Sequence, residues 1–203
     1  MLIYYILFTV VITFFTFLES VSSKFKHGML LSFILIFIFI SIRYDFGNDY
    51  AMYLSEFHKL NTIDNLKGYA GLERLESGWI YLNRAFKHLG FFTLIVFWSL
   101  IYSIVMYKYI RKTLDKKYYF LIVFFFLISS GVFLVQLSAL RQTLALLIFL
   151  FSIRFIIDRN LILYAISILL ASLLHSSAIL LLPLYFLNFL KLSNKLSFIY
   201  FIF

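Results

Sequence analysis

The sequence predicts an all-α, polytopic helical membrane protein, and three observations carry that prediction. The 203 residues are 64% hydrophobic and only 13% charged, with a mean hydropathy of +0.99, whereas a soluble domain is about a quarter charged. The apolar residues form long continuous runs, not the short alternating strands of a transmembrane barrel. The charges gather between those runs, as membrane topology requires. The net charge of +9 therefore describes orientation, and no nucleic-acid partner is expected. The chain has no cysteine, which excludes a disulfide framework and thiol chemistry.

A crossing helix needs about 20 residues at about 1.5 Å each. Residues 2–18 form the first candidate. They lack the basic leader and the small-residue cleavage site of a signal peptide, so they read as a retained span. Residues 28–42 form the second. Residues 43–90 are mixed and hold most of the acids; they read as an extracytoplasmic loop. Residues 91–107 form the third span. Residues 118–157 would be about 60 Å long as one helix, so they are read as two spans. Ser129-Ser130-Gly131 or residues 136–142 offer the break, and the turn is placed at residues 138–141, where the charge lies. Residues 160–190 read as two short segments meeting at His175, with Pro183 kinking the second; one tilted helix is the alternative. A further apolar run starts near Leu196. The count is about seven membrane segments plus a partial last one, in a single integral membrane domain over residues 1–203.

With the amino terminus outside, the cytoplasmic segments carry eleven basic residues against three acids, and the outer segments seven against six. That asymmetry is the positive-inside pattern. It places Arg43, Asp49, Glu76, Arg141 and His175 together at the extracytoplasmic ends of their helices. An ionisable group at bilayer depth is costly, so its presence points to function.

Arg43 follows directly on an apolar span, within Arg43-Tyr44-Asp45-Phe46-Gly47-Asn48-Asp49-Tyr50. Gly47 allows a backbone turn there. Asp45, Asp49 and Tyr53 are spaced by four, so a helix would set them on one face. Glu76 precedes a Gly-aromatic pair in Glu76-Ser77-Gly78-Trp79. Arg141 stands between apolar runs with no acid near it in sequence. Its planar fork suits phosphate or carboxylate. His175 lies between Leu173-Leu174 and Ser176-Ser177-Ala178, and its charge can switch near neutral pH. No Gly-rich phosphate loop, nucleotide fingerprint or zinc spacing is present.

At these residues the chain resembles the EpsG family, relatives of the Wzy polysaccharide polymerases. Arg43, Gly47, Asp49, Tyr50 and Tyr53 match its R-x-x-x-G-x-D-Y-x-x-Y signature. Glu76-Ser77-Gly78-Trp79 resembles its E-x-G-aromatic element. Leu140-Arg141-Gln142 and His175-Ser176-Ser177-Ala178 resemble the next two, in the family's order. The resemblance implies a GT-C-like glycosyltransferase in the bacterial cytoplasmic (inner) membrane. Such enzymes join undecaprenyl-diphosphate-linked repeat units into capsule, exopolysaccharide or O-antigen. It implies no cofactor and no metal, and it makes a flippase and a chain-length regulator the expected protein partners. Family members continue through further spans, so the resemblance also implies that a carboxy-terminal part is missing here, which leaves the activity of this chain open.

The chemistry expected of such a site follows from its charges. Fixed cations stabilise a diphosphate as it departs, and Arg43 and Arg141 are the candidates. The acceptor hydroxyl needs a base within reach. His175, Asp49 or Glu76 could serve, with His175 favoured as base or phosphate contact and the two carboxylates as orienting groups. Tyr50, Tyr53 and Trp79 are read as faces for sugar rings, and Gln142 as a further substrate contact. The rival readings are a lipid-linked sugar flippase or transporter, a ligase or acyltransferase on the same carrier, and an inactive remnant. A flippase should scatter its charges near the midplane on broken helices. Cysteines introduced near Leu60 and Leu174 should label from outside the cell, and one near Lys112 should not; the reverse pattern would put the charged cluster in the cytoplasm.

Overall fold

A continuous apolar chain in hydrocarbon must pair its own backbone groups, and the helix does so within one segment. The computed structural model describes residues 2–22, 24–45, 47, 49–62, 75–129 and 133–189. Among the described residues all regular structure is helical. The order is α1 (Leu2–Val21), α2 (Gly28–Ser41), α3 (Tyr50–Thr62), α4 (Ser77–Ala85), α5 (Phe91–Thr113), α6 (Tyr119–Ile128), α7 (Phe133–Ser138), α8 (Leu140–Ile157) and α9 (Leu161–Ser172), with 3-10 segments at Lys116–Tyr118 and Ser176–Phe189. Helices α1, α5 and α8 are long and apolar enough to cross a membrane. The other apolar segments, α2, α6, α9 and the second 3-10 segment, are shorter.

Packing sets the neighbours. α1 lies between α6 and α2, α2 packs on α5, α5 on α8, and α8 on α9 and the second 3-10 segment. The main core runs through this row, with Ile36, Trp98, Tyr102, Leu127 and Phe133 buried in it. Two contacts fix the α1–α2 hairpin. Glu19, 2% exposed, accepts the Met29 backbone N–H at 2.7 Å, which pairs a donor that the first turn of α2 would otherwise leave open. Gly28 lets α2 press against α1, since a Cβ there would stand 1.9 Å from the Phe15 carbonyl oxygen.

Several expectations change. The turn expected at residues 138–141 is present as one non-helical residue, Ala139 (φ −93°, ψ 72°). However, α6 already ends at Ile128, and the six-residue α7 stands between it and α8, so residues 118–157 are not simply two spans. Asp45 and Asp49 do not share a helical face with Tyr53. α3 begins only at Tyr50, and the chain before it turns, with positive φ at Asp45 (49°) and Gly47 (95°). Residues 43–90 contain two helices, α3 and α4, packed on each other. Residues 160–190 are two segments, α9 and the 3-10 segment, with His175 at their junction. Pro183 sits inside the second, which is 3-10 along its length rather than a kinked α-helix. The run from Leu196, and Phe46, Asn48, Glu73, Arg74, Ser130 and Gly131, lie outside the described residues.

Gly28→Ala should destabilise the protein by about 1–3 kcal/mol, the usual range for overpacking, because the obstacle is backbone and cannot rotate away. Denaturant unfolding in detergent measures it; unchanged stability would mean that the hairpin is looser than described.

Candidate functional site

Helix ends leave backbone donors and acceptors without partners, and this chain brings several such ends to one place. α4 starts after Glu76, α8 starts after Ala139, α9 stops at Ser172 and the 3-10 segment starts at Ser176. The α4 start and the α9–3-10 junction complete each other. The Gly78 backbone N–H donates to the Leu173 carbonyl at 2.8 Å. In return the Ser176 backbone N–H donates to Glu76 Oε1 at 3.0 Å. Gly78 is required for this approach: a Cβ there would stand 2.6 Å from the Leu173 carbonyl oxygen.

Glu76 occupies the N-cap position of α4, but its side chain makes no cap bond to that helix. It reaches across instead. Oε2 accepts from Arg141 Nη1 at 2.8 Å, and Oε1 lies 3.7 Å from His175 Nδ1, beyond hydrogen-bond length but within ion-pair range. The Glu76 and Arg141 side chains are only 14% and 18% exposed. Burial alone would raise the Glu76 carboxyl. The Ser176 and Glu76 backbone N–H groups and the Arg141 charge outweigh it, and they hold the group below the usual carboxylate value. Arg141 Nε and His175 Nδ1 are buried without a hydrogen-bond partner.

Aromatic side chains wall the cluster. The Tyr53 hydroxyl lies against the Arg141 guanidinium, which stands 5.8 Å over the Tyr53 ring. Tyr53 meets Trp79 edge-on, with centroids 5.3 Å apart, and Trp79 Nε1 donates to Glu56 at 3.0 Å. Burial raises the Tyr53 phenol, and the neighbouring guanidinium acts against that rise. Tyr53, Trp79 and Tyr50 are all buried, Tyr50 edge-on to Phe91. Their rings pack within the fold and support the cluster. Gln142 is exposed.

Arg43 approaches the same ground from α2. It is 8% exposed, lies 4.8 Å over the Trp98 ring, and donates through Nη1 to the Leu137 carbonyl. Among the described residues no carboxylate pairs with it. Arg43 thus holds the α7 backbone four residues before Arg141. Gly47, beside it, packs on Ser138: a Cβ would stand 2.9 Å from its hydroxyl. Asp49 is partly exposed and acts on the cluster through its charge near Tyr53.

The anion that Arg141 was expected to need is therefore supplied first by the chain itself, through Glu76. The sequence reading made Glu76 an orienting group for sugar hydroxyls or the arginines, but it did not single out Arg141, 65 positions away. It also missed Glu56, the Tyr53 contact and the Ser176 backbone donor, none of which has a local sequence signal. Among the described residues no group of three or more His, Cys, Asp or Glu side chains could hold a metal ion.

A sequence model described as the EpsG family matches residues 26–203. No curated protein and no solved structure matches the chain.

The lowered Glu76 carboxyl gives a pH dependence. Its folded form favours the anion, so its contribution to stability is full above the ordinary carboxylate range and is lost as pH falls through that range and the folded value below it. Glu76→Gln should cost about 1.5–3 kcal/mol at neutral pH, the size of hydrogen bonds to charged groups. It should also flatten the acid limb of an unfolding-versus-pH curve; an unchanged limb would show that Glu76 is solvated.

Proposed function

The chain belongs to the EpsG family, and on that premise we propose that it is a GT-C-like membrane polysaccharide polymerase. It joins undecaprenyl-diphosphate-linked oligosaccharide units at the outer face of the bacterial cytoplasmic membrane. The observation that supports this reading best is Glu76 between Arg141 and His175, with Oε2 on one and Oε1 toward the other. A cation, a carboxylate and an imidazole in one partly buried cluster suit glycosyl transfer to a hydroxyl.

Each group has a role in the reaction. The bond from the anomeric carbon to the diphosphate oxygen breaks, and the electron pair leaves with the diphosphate. Arg141 stabilises that growing charge, since a planar guanidinium can donate to phosphate while it keeps one donor on Glu76. The acceptor hydroxyl oxygen forms the new bond to that anomeric carbon and loses its proton to His175. With Nδ1 turned toward Glu76, Nε2 is the nitrogen that receives the proton, and the carboxylate stabilises the resulting imidazolium. Arg43 positions the Arg141 segment through the Leu137 carbonyl, and Asp49 contributes a negative charge beside Tyr53 that orients sugar hydroxyls.

Radiolabelled lipid-linked repeat unit supplied to proteoliposomes should give a polymer ladder; translocation without new linkages would identify a flippase instead. Arg141→Lys should abolish the ladder, with about a hundred-fold or greater loss of rate, while the protein still inserts, because lysine keeps the charge but loses the fork. Normal chain length in that variant would remove Arg141 from the site.

A further inference from the structure

A cavity of about 370 Å³ lies between α5 and α8, and its walls present no polar surface. Its lining follows helical spacing on both sides. α5 contributes Leu94, Trp98, Ile101 and Val105, and α8 contributes Leu140, Leu144, Leu147 and Phe151. Eleven helical rises, from Leu94 to Val105 and from Leu140 to Phe151, make it about 16 Å long. It is a groove along the helices, not a compact pocket.

One end of the groove abuts the charged cluster. Leu140 precedes Arg141, Leu174 precedes His175, and the Trp98 ring lies beneath the Arg43 guanidinium. The other end lies among α5 and α8 side chains in the apolar middle of both helices. A long hydrocarbon surface that starts at two guanidiniums and an imidazole is complementary to an amphiphile with an anionic head and an extended tail. A compact apolar ligand would leave the cations unused, and a free phosphate would leave the groove empty.

We propose that the α5–α8 groove seats the first part of the polyprenyl tail of the lipid diphosphate whose head lies at Arg141. The inference rests on the transferase reading for the identity of the lipid. It adds the route of the tail, between two specific helices, and it makes Leu144 and Leu147 determinants of tail recognition. A tail held there also fixes the depth of the head, so the groove sets where the scissile bond stands relative to His175.

The full chain in phosphatidylcholine nanodiscs tests this with two sugar-free probes, undecaprenyl diphosphate and geranyl diphosphate. Leu147→Trp, which fills the groove, should weaken binding of the long probe about ten-fold or more while leaving the short one within about two-fold. Leu144→Phe, a milder filling, should act in the same direction. Comparing each variant with its parent removes the tail's general preference for the bilayer. A diazirine-bearing long probe on the unaltered chain should form adducts on α5 and α8 at the groove residues, whatever the folding of the variants. Unchanged binding in both folded variants, adducts confined to lipid-facing residues of α1, or full displacement by phosphatidylglycerol would overturn the proposal, the last in favour of an ordinary lipid acyl chain. Polymerisation that persists with undiminished long-probe binding in the folded variants sinks the groove alone. Groove binding without any polymerisation sinks the transferase reading alone.

Discussion

One carboxylate organises this protein. Glu76 is largely withdrawn from water, and an ionised group so placed is unfavourable unless partners replace its solvation. Its partners come from two distant parts of the chain: a guanidinium from the start of α8, and a backbone N–H from the start of the 3-10 segment with the imidazole beside it. None of these could be satisfied locally. The requirement to pair a buried charge therefore becomes a requirement that α4, α8 and the α9–3-10 junction meet.

The surrounding contacts make that meeting precise. Gly78 allows backbone to touch backbone at Leu173, and Gly47 lets the chain before α3 lie against Ser138 and its hydroxyl. Arg43 ties the end of α2 to α7 through the Leu137 carbonyl. Interrupted helices are tolerated in an apolar protein only where their freed groups find partners. Here the interruptions at Ala139 and at residues 173–175 border the cluster, and their open groups are paired within it or beside it. The same geometry sets the cluster at the head of an apolar groove, so a charged region and a hydrocarbon surface lie end to end.

Much of this was legible in the residues. Run lengths and the scarcity of charge identified a helical membrane protein, and the runs at 28–42 and from 91 onward match α2 and the start of α5. The junction at His175 was legible because residues 160–190 are too long for one span and polar at the middle. Arg141 stood out because nothing in its neighbourhood explains a charge. The illegible parts depend on tertiary contact. Apolar segments satisfy both helix and hydrocarbon, so their pattern does not say where α6 gives way to α7. Spacing by four suggested a helical face for Asp45 and Asp49, but the left-handed turn at Asp45 and Gly47 took precedence, held by packing on Ser138. Tyr53 and Trp79 look like carbohydrate-facing aromatics in sequence, yet each covers the other.

The most direct measurement is a double-mutant cycle on Glu76 and Arg141, with Glu76→Gln, Arg141→Gln and the pair unfolded side by side in detergent. If the carboxylate holds the guanidinium, the double variant should lose less stability than the two single losses together, with a coupling of about 0.5–3 kcal/mol. Strict additivity would mean that the two side chains act independently, and the site built on their pairing would not exist.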